Sequence, residues 1–194
     1  MLRVMRSLVT VVLLAIAISS PAAAQNPVLD TDGNPVQSGV QYYVLPGVTD
    51  VAGGLTLVRR TDQCPLYVGQ EPLAPVVSSG LPVIFTPFAT GESTIREGRD
   101  TGVQFDAASV CVQSTAWRVG PEDPDTNRRF IVTGGERGYF RIDNNGGIYN
   151  LGWCPSESCP NCRPRCGSAG ILVQNGTRFL QLDGDAFPFV FRRA

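Results

Sequence analysis

The 194-residue chain contains no histidine and no lysine; all sixteen of its basic residues are arginine. Without histidine there is no Ser-His-Asp or Cys-His nucleophile system, and the commonest metal ligand is missing. Without lysine there is no Schiff-base chemistry, and a lysine-directed protease has nothing to cut. Long apolar runs are also scarce. After the N-terminus no stretch approaches the ~20 residues that a spanning helix needs. No segment shows sustained helical periodicity, and no composition break marks a second domain. Carboxylates such as Glu122, Asp123 and Asp125 read as an acidic loop, with nothing pairing them into an acid–base site. No catalytic residue, metal site or cofactor is expected, and the chain does not read as an enzyme.

The one apolar run stands at the start. Arg3 and Arg6 precede Leu8–Ile18, and Pro21 and Ala22-Ala23-Ala24 follow. This is the layout of a secretory signal peptide cut near Ala24. A membrane anchor is the alternative, but the run is short for one. The expected division is a leader over 1–24 and one domain over 25–194. The domain then keeps 170 of the 194 residues. Without the two leader arginines it carries 14 basic against 17 acidic groups, net −3. That charge gives no reason to expect nucleic acid or an anionic membrane as partner, and a soluble monomer is expected.

Six cysteines behind such a leader predict three disulfides, because the secretory route is oxidising. Fifteen pairings are possible. Cys64 and Cys111 stand apart from the tight group Cys154, Cys159, Cys162 and Cys166. The economical solution joins Cys64 to Cys111, which would stabilise the fold by roughly 4 kcal/mol through loop closure, and pairs the other four among themselves. The spacing of Cys159-Pro-Asn-Cys162 would also suit a zinc knuckle.

The remaining chain is a succession of short apolar runs. They include Gln41–Leu45, Leu55–Val58, Pro82–Phe85, Gly102–Phe105, Trp117–Val119, Phe130–Val132, Tyr139–Ile142, Ile171–Val173, Phe179–Leu182 and Phe189–Phe191. Several alternate apolar and polar with period two, and about a dozen such runs at regular spacing predict an all-β domain. Asp32-Gly33, Asn145-Gly146 and Asn175-Gly176 are turn dipeptides that tolerate positive φ, with Gly53-Gly54 and Gly134-Gly135 as similar punctuation. Pattern alone does not separate sandwich, barrel and trefoil, and no internal repeat stands out. Asn175-Gly176-Thr177 is also a glycosylation sequon. Trp117 and Trp153 read as packing residues. The pairs Arg59-Arg60, Arg128-Arg129 and Arg192-Arg193 read as solvated surface charge, with bait for a trypsin-like protease as the sharper alternative.

One stretch is more specific. Val28-Leu29-Asp30-Thr31-Asp32-Gly33-Asn34-Pro35-Val36, five further residues and then Tyr42-Tyr43-Val44 resemble the opening signature of the plant Kunitz (soybean-type) inhibitor family. The resemblance continues through Gly53-Gly54-Leu55, Cys64-Pro65-Leu66, Gln113-Ser114-Thr115-Ala116-Trp117 and Phe189-Val190-Phe191. It implies a β-trefoil of twelve strands, a six-stranded barrel capped by three hairpins. The cysteine group after Trp153 is similar to that of miraculin-like members and implies the pairs Cys154–Cys166 and Cys159–Cys162.

The functional implication is inhibition of a serine protease by a substrate-like loop following the fourth strand. The expected reactive loop is Thr86, Pro87, Phe88, Ala89, Thr90 and Gly91. It is similar to the corresponding stretch in cereal subtilisin and α-amylase inhibitors. Ala89 would enter the protease's primary pocket, with the Ala89–Thr90 bond presented for attack and Pro87 stiffening the approach. Trypsin's pocket holds a carboxylate that a methyl group leaves unpaired, so subtilisin-like or elastase-like targets are expected. Ser38 occupies the position of an asparagine that braces the loop in trypsin-inhibiting relatives, but cannot donate two amide hydrogens. Binding of α-amylase, or a non-inhibitory storage or defence role, are the competing implications. Either destination of a secreted plant protein, extracellular space or vacuole, fits the leader.

Overall fold

The computed structural model describes residues 25–48 and 52–194. The leader expected over 1–24 lies outside the described residues. Thirteen strands are present in chain order: β1 (Gln41–Pro46), β2 (Leu55–Val58), β3 (Tyr67–Gln70), β4 (Val83–Pro87), β5 (Thr101–Phe105), β6 (Trp117–Glu122), β7 (Arg129–Thr133), β8 (Tyr139–Asn145), β9 (Ile148–Trp153), β10 (Gly167–Ser168), β11 (Gly170–Gln174), β12 (Thr177–Gln181) and β13 (Pro188–Arg193). β10 is a two-residue extension on β9. Among the described residues no helix is long and apolar enough to cross a membrane.

The other twelve strands form a barrel and a cap. β1, β4, β5, β8, β9 and β13 pair in that order, and β13 pairs back on β1, so the sheet closes on itself. Closure removes the sheet edges that would otherwise invite pairing with other chains. The hairpins β2–β3, β6–β7 and β11–β12 form the cap, held together by the contacts β3–β7, β7–β12 and β12–β3. Barrel strand, hairpin, barrel strand thus occurs three times along the chain. This is the β-trefoil, with a threefold repeat that the residue order does not display.

Period-two alternation explains the barrel interior. Each barrel strand turns an i, i+2 pair inward: Tyr42 and Val44, Val83 and Phe85, Val103 and Phe105, Phe140 and Ile142, Tyr149 and Leu151, Phe189 and Phe191. All twelve are buried. Trp117, Leu55, Ile131 and Leu180 close the cap end of the same core. The rings meet edge to face, as Phe85 with Phe191 at 5.3 Å between centroids, an arrangement that suits their quadrupoles.

Besides the short β10, two strands lay outside the apolar runs named from sequence. β3 holds Gly69 and Gln70, and β9 holds Asn150 and Gly152, which dilute the apolar signal. Gly69 is required by crowding, because a Cβ there would sit 2.5 Å from the Arg178 carbonyl oxygen. Gly53-Gly54 is also a close approach rather than a turn. A Cβ on Gly54 would lie 2.0 Å from the Ser79 carbonyl oxygen, and neither residue has positive φ. Asn175-Gly176 does behave as a hairpin turn: both residues have positive φ, 50° and 77°.

The three disulfides are Cys64–Cys111, Cys154–Cys166 and Cys159–Cys162. Cys159 and Cys162 are therefore partners of each other rather than half of a zinc site. Two charge clusters tie loops together. Arg129 and Arg165 both reach Asp183, and Arg165 also reaches Glu122 at 2.9 Å. Arg129, followed by partial burial in opposition, holds the Asp183 carboxyl below the ordinary carboxylate range. Arg60 donates to Asp123, which also accepts from the Thr126 amide (3.0 Å) and hydroxyl (2.8 Å).

Two predictions come from this architecture. Phe191→Ala empties the barrel centre and should cost about 3–5 kcal/mol, read by denaturant unfolding. The Arg60 contact, with those of Thr126, lowers the Asp123 carboxyl from 3.8 to about 2. A depressed folded-state value stabilises the protein above the unfolded value, and that stability is lost as pH falls towards 2. Asp123→Asn should therefore lower the melting temperature by about 2–4 °C at neutral pH, and the gap should close in melts taken towards pH 2.

Candidate inhibitory loop

β4 and β5 pair from Val83↔Phe105 to Pro87↔Thr101. Thr86 and Pro87, the first two residues of the expected loop, are thus the last two of a strand. Proline suits this end because it lacks the N–H that the ladder would otherwise use. Phe88 extends the pairing by one step, its amide donating to the Asp100 carbonyl at 2.9 Å. The projecting part of the connection beyond this pair is therefore 89–99.

At its tip the chain reverses. The Glu92 amide donates to the Ala89 carbonyl at 3.4 Å, which closes a four-residue turn. Gly91 sits at the third position with φ 85°, the place a type II turn gives to glycine. Nothing lies near the Cβ it lacks, so backbone conformation alone selects glycine there. Phe88, Thr90 and Gly91 are exposed and Ala89 is half-buried. The Phe88 ring rests edge-on against Tyr139 of β8, 5.0 Å between centroids. The tip itself is uncharged, with Glu92 and Arg99 contacting each other at 3.7 Å on its flank.

The returning arm is held by the N-terminal segment. Residues 27–38 form a hairpin around Gly33, where Asp30 Oδ1 accepts from the amides of Asp32 (3.0 Å) and Asn34 (2.8 Å). Residues 93–97 lie between its two arms. Val28 donates to Ile95 at 2.9 Å, Ile95 donates to Val36 at 2.9 Å, and Ser38 donates to Ser93 at 2.7 Å. Val28, Val36 and Ile95 are all fully buried. Barrel tyrosines fix this clamp from beneath: Tyr42 Oη accepts from the Gln37 amide (3.0 Å) and Tyr149 Oη accepts from Leu29 (2.9 Å). The signature stretch Val28–Val36 is, physically, the clamp on the loop.

Ser38 meets the returning arm through its backbone amide, which donates to the Ser93 carbonyl at 2.7 Å. The side-chain contact comes from its neighbour: Gln37 Nε2 donates to Thr94 Oγ1 at 3.3 Å and to the Pro35 carbonyl at 3.2 Å. Sequence reasoning missed Gln37, Tyr42 and Tyr149 in this role. An amide side chain next to Ser38 was the available signal for the first. The tyrosines carried none, since they read as core.

The projection is convex. Two clefts, of about 350 and 360 Å³, are lined by Leu45, Leu73 and Val77 in one and by Arg141, Trp153 and Ser168 in the other, with none of residues 86–91. Asn175 is exposed at the tip of the β11–β12 hairpin.

A disulfide-stapled β-trefoil with a clamped loop, uncharged at its tip, projecting between its fourth and fifth strands defines the class of protein. The family of legume Kunitz inhibitors, described as trypsin and protease inhibitor, matches residues 28–193, and the chain belongs to it. It is 42% identical to Kunitz type trypsin inhibitor 104 of Medicago truncatula, over 86% of this chain and 87% of that protein. It is 37% identical to the α-amylase/subtilisin inhibitor of Oryza sativa subsp. japonica, over 96% and 94%. The solved structure of the rice bifunctional α-amylase/subtilisin inhibitor, from Oryza sativa, superposes with a TM-score of 0.73 at 34% identity, covering 88% of this chain and all of the other. The proteins of this family are inhibitors and not enzymes.

The clamp makes a specific prediction. Ser38→Ala keeps the backbone donor and should leave the loop unchanged. Ser38→Pro removes it, and amide exchange over 93–97 should accelerate about tenfold, as expected when a hydrogen bond anchoring the arm is lost. Exchange followed by mass spectrometry separates the two variants.

Proposed function

We propose that this chain is a secreted inhibitor of subtilisin-like or elastase-like serine proteases, with Ala89 in the primary pocket and Ala89–Thr90 as the presented bond. The observation that carries this reading is the loop itself. Its tip, Phe88 to Gly91, is largely exposed, whereas both arms are hydrogen-bonded to β5 and to the N-terminal clamp. A loop ordered before it docks has little conformational entropy left to lose, so contacts convert into affinity. A cut at Ala89–Thr90 would leave both ends held, and rejoining would compete with release.

Specificity follows from the methyl group of Ala89. Small apolar pockets accept it, whereas trypsin would keep its pocket carboxylate without a partner. The likeness to an α-amylase/subtilisin inhibitor favours a second reading, in which α-amylase is bound as well. Amylase carboxylates would then have to be met by arginine alone. The leader over 1–24 supports secretion to the extracellular space or vacuole, and three disulfides fit that oxidising route. The exposed hairpin position of Asn175 suits a glycan. A closed barrel without sheet edges fits a monomer.

The test is titration of subtilisin, elastase, trypsin and an α-amylase with the disulfide-bonded protein, together with Ala89→Arg. The native protein should inhibit subtilisin or elastase and spare trypsin. Ala89→Arg should gain at least about 100-fold in affinity for trypsin by satisfying the pocket charge. Trypsin inhibition by the native protein with subtilisin and elastase unaffected would reject the assignment.

A further inference from the structure

The carboxylate of Asp100 is fully buried at the base of the candidate loop. Its Oδ2 accepts from three successive backbone amides, Ser156 at 3.1 Å, Glu157 at 3.0 Å and Ser158 at 2.8 Å, and from the Ser158 hydroxyl at 2.7 Å. The Ser156 amide also lies 3.3 Å from Oδ1. Successive amides converging on one oxygen form an anion nest, and here the anion is supplied by another part of the same chain. A buried carboxylate is tolerable only with such a full set of donors.

The same residue faces the loop with its backbone, for the Asp100 carbonyl accepts the Phe88 amide at 2.9 Å. Asp100 therefore joins two segments about seventy residues apart in sequence: Phe88, next to Ala89, and the stretch between Cys154 and Cys159. Arg99 joins the same pair again. Its guanidinium contacts Glu92, at the close of the turn, and Glu157, in the nest. The nest is itself fixed at both ends, because Cys154 is bonded to Cys166 and Cys159 to Cys162.

We propose that Asp100 is the positioning residue of the inhibitory loop, and that the doubly bridged cysteine segment is the brace which, through Asp100 and Arg99, keeps Phe88 to Glu92 in a form a protease binds without cutting quickly. The proposal rests on the inhibitory reading of Ala89. It explains what holds the arm that the N-terminal clamp does not touch: the clamp engages 93–97, whereas Asp100 and Arg99 hold Phe88 and Glu92. Asp100 touches no target; it acts through the loop.

The decisive variants are Asp100→Ala, Ser158→Ala with Arg99→Gln, and Asp123→Asn as a control that breaks a charge pair outside the loop. Two readouts are taken on each oxidised protein. The first is amide exchange at Phe88, Glu92 and 156–158. The second is the rate at which subtilisin cleaves Ala89–Thr90 in the bound inhibitor, against the rate of association. Asp100→Ala should speed exchange at Phe88 and across 156–158 at least about tenfold, because local opening no longer breaks the nest. It should speed cleavage by a similar factor while association changes little, since a loosened loop behaves as substrate. The double variant should move both readouts in the same direction by a smaller factor, and it decides the matter if Asp100→Ala does not fold. Asp123→Asn should leave both unchanged. If exchange at Phe88 and Glu92 stays at the native rate in the folded variants, the proposal is overturned. If exchange rises as expected but the native protein neither binds subtilisin nor elastase, the positioning of the loop stands and the inhibitory reading is what fails.

Discussion

Closure of the barrel by β1 against β13 is the constraint on which the site depends. Five residue pairs, Tyr42↔Arg193 to Pro46↔Phe189, join the two ends of the domain across a sequence separation of about 150 residues. The two strands of this seam also carry anchor points of the loop clamp. Tyr42 lies in the core with its ring 6.1 Å from Phe85, yet its hydroxyl takes the Gln37 amide. Phe191 packs on Phe85 and Tyr149, and its carbonyl accepts the Thr31 amide at 2.8 Å. Core packing and loop geometry are thus set by the same residues, and a defect in the seam is transmitted to the clamp without any contact at the tip.

This arrangement divides the work between scaffold and tip. The tip residues, Phe88 to Gly91, make few internal contacts: the Phe88 amide to the Asp100 carbonyl, one turn bond, and one ring against Tyr139. They are free to vary in side chain because order is imposed from outside, by the clamp on one arm and by Asp100 on the other. Folding has already removed most of the backbone freedom that binding would otherwise remove.

Much of the fold was legible in residue order. Short apolar runs, several of them alternating with period two, marked ten strands, and the missing histidine excluded the usual hydrolytic constellations. Strands β3 and β9 were hidden by glycine and amide residues, and in β3 these have tertiary causes: the Arg178 carbonyl approaches Gly69, and the Gln70 side chain donates to the Gly53 carbonyl. The threefold repeat was hidden for a different reason. Barrel packing asks only for apolar residues at i and i+2, and Val, Phe, Tyr, Ile and Leu all satisfy it, so equivalent strands need not look alike. The resemblance pointed to the stretch Thr86 to Gly91, of which Thr86 and Pro87 end β4 and Ala89 to Gly91 lie in the turn, and to Ser38. The amide role of Ser38, the side-chain role of Gln37 and the nest around Asp100 were not legible.

By itself the sequence determined the alternation of buried and exposed positions, the turns at Gly33 and Asn175-Gly176, the number of cysteines and the chemistry available at the loop tip. These are local properties: each depends on a residue and its immediate neighbours. The tertiary structure alone decided that the strands close into a barrel, that the N-terminal segment grips Ile95, and that Asp100 meets amides of the cysteine segment. Each of these joins residues dozens of positions apart, and the free energy that selects them belongs to buried surface and satisfied hydrogen bonds, which exist only once the chain has folded.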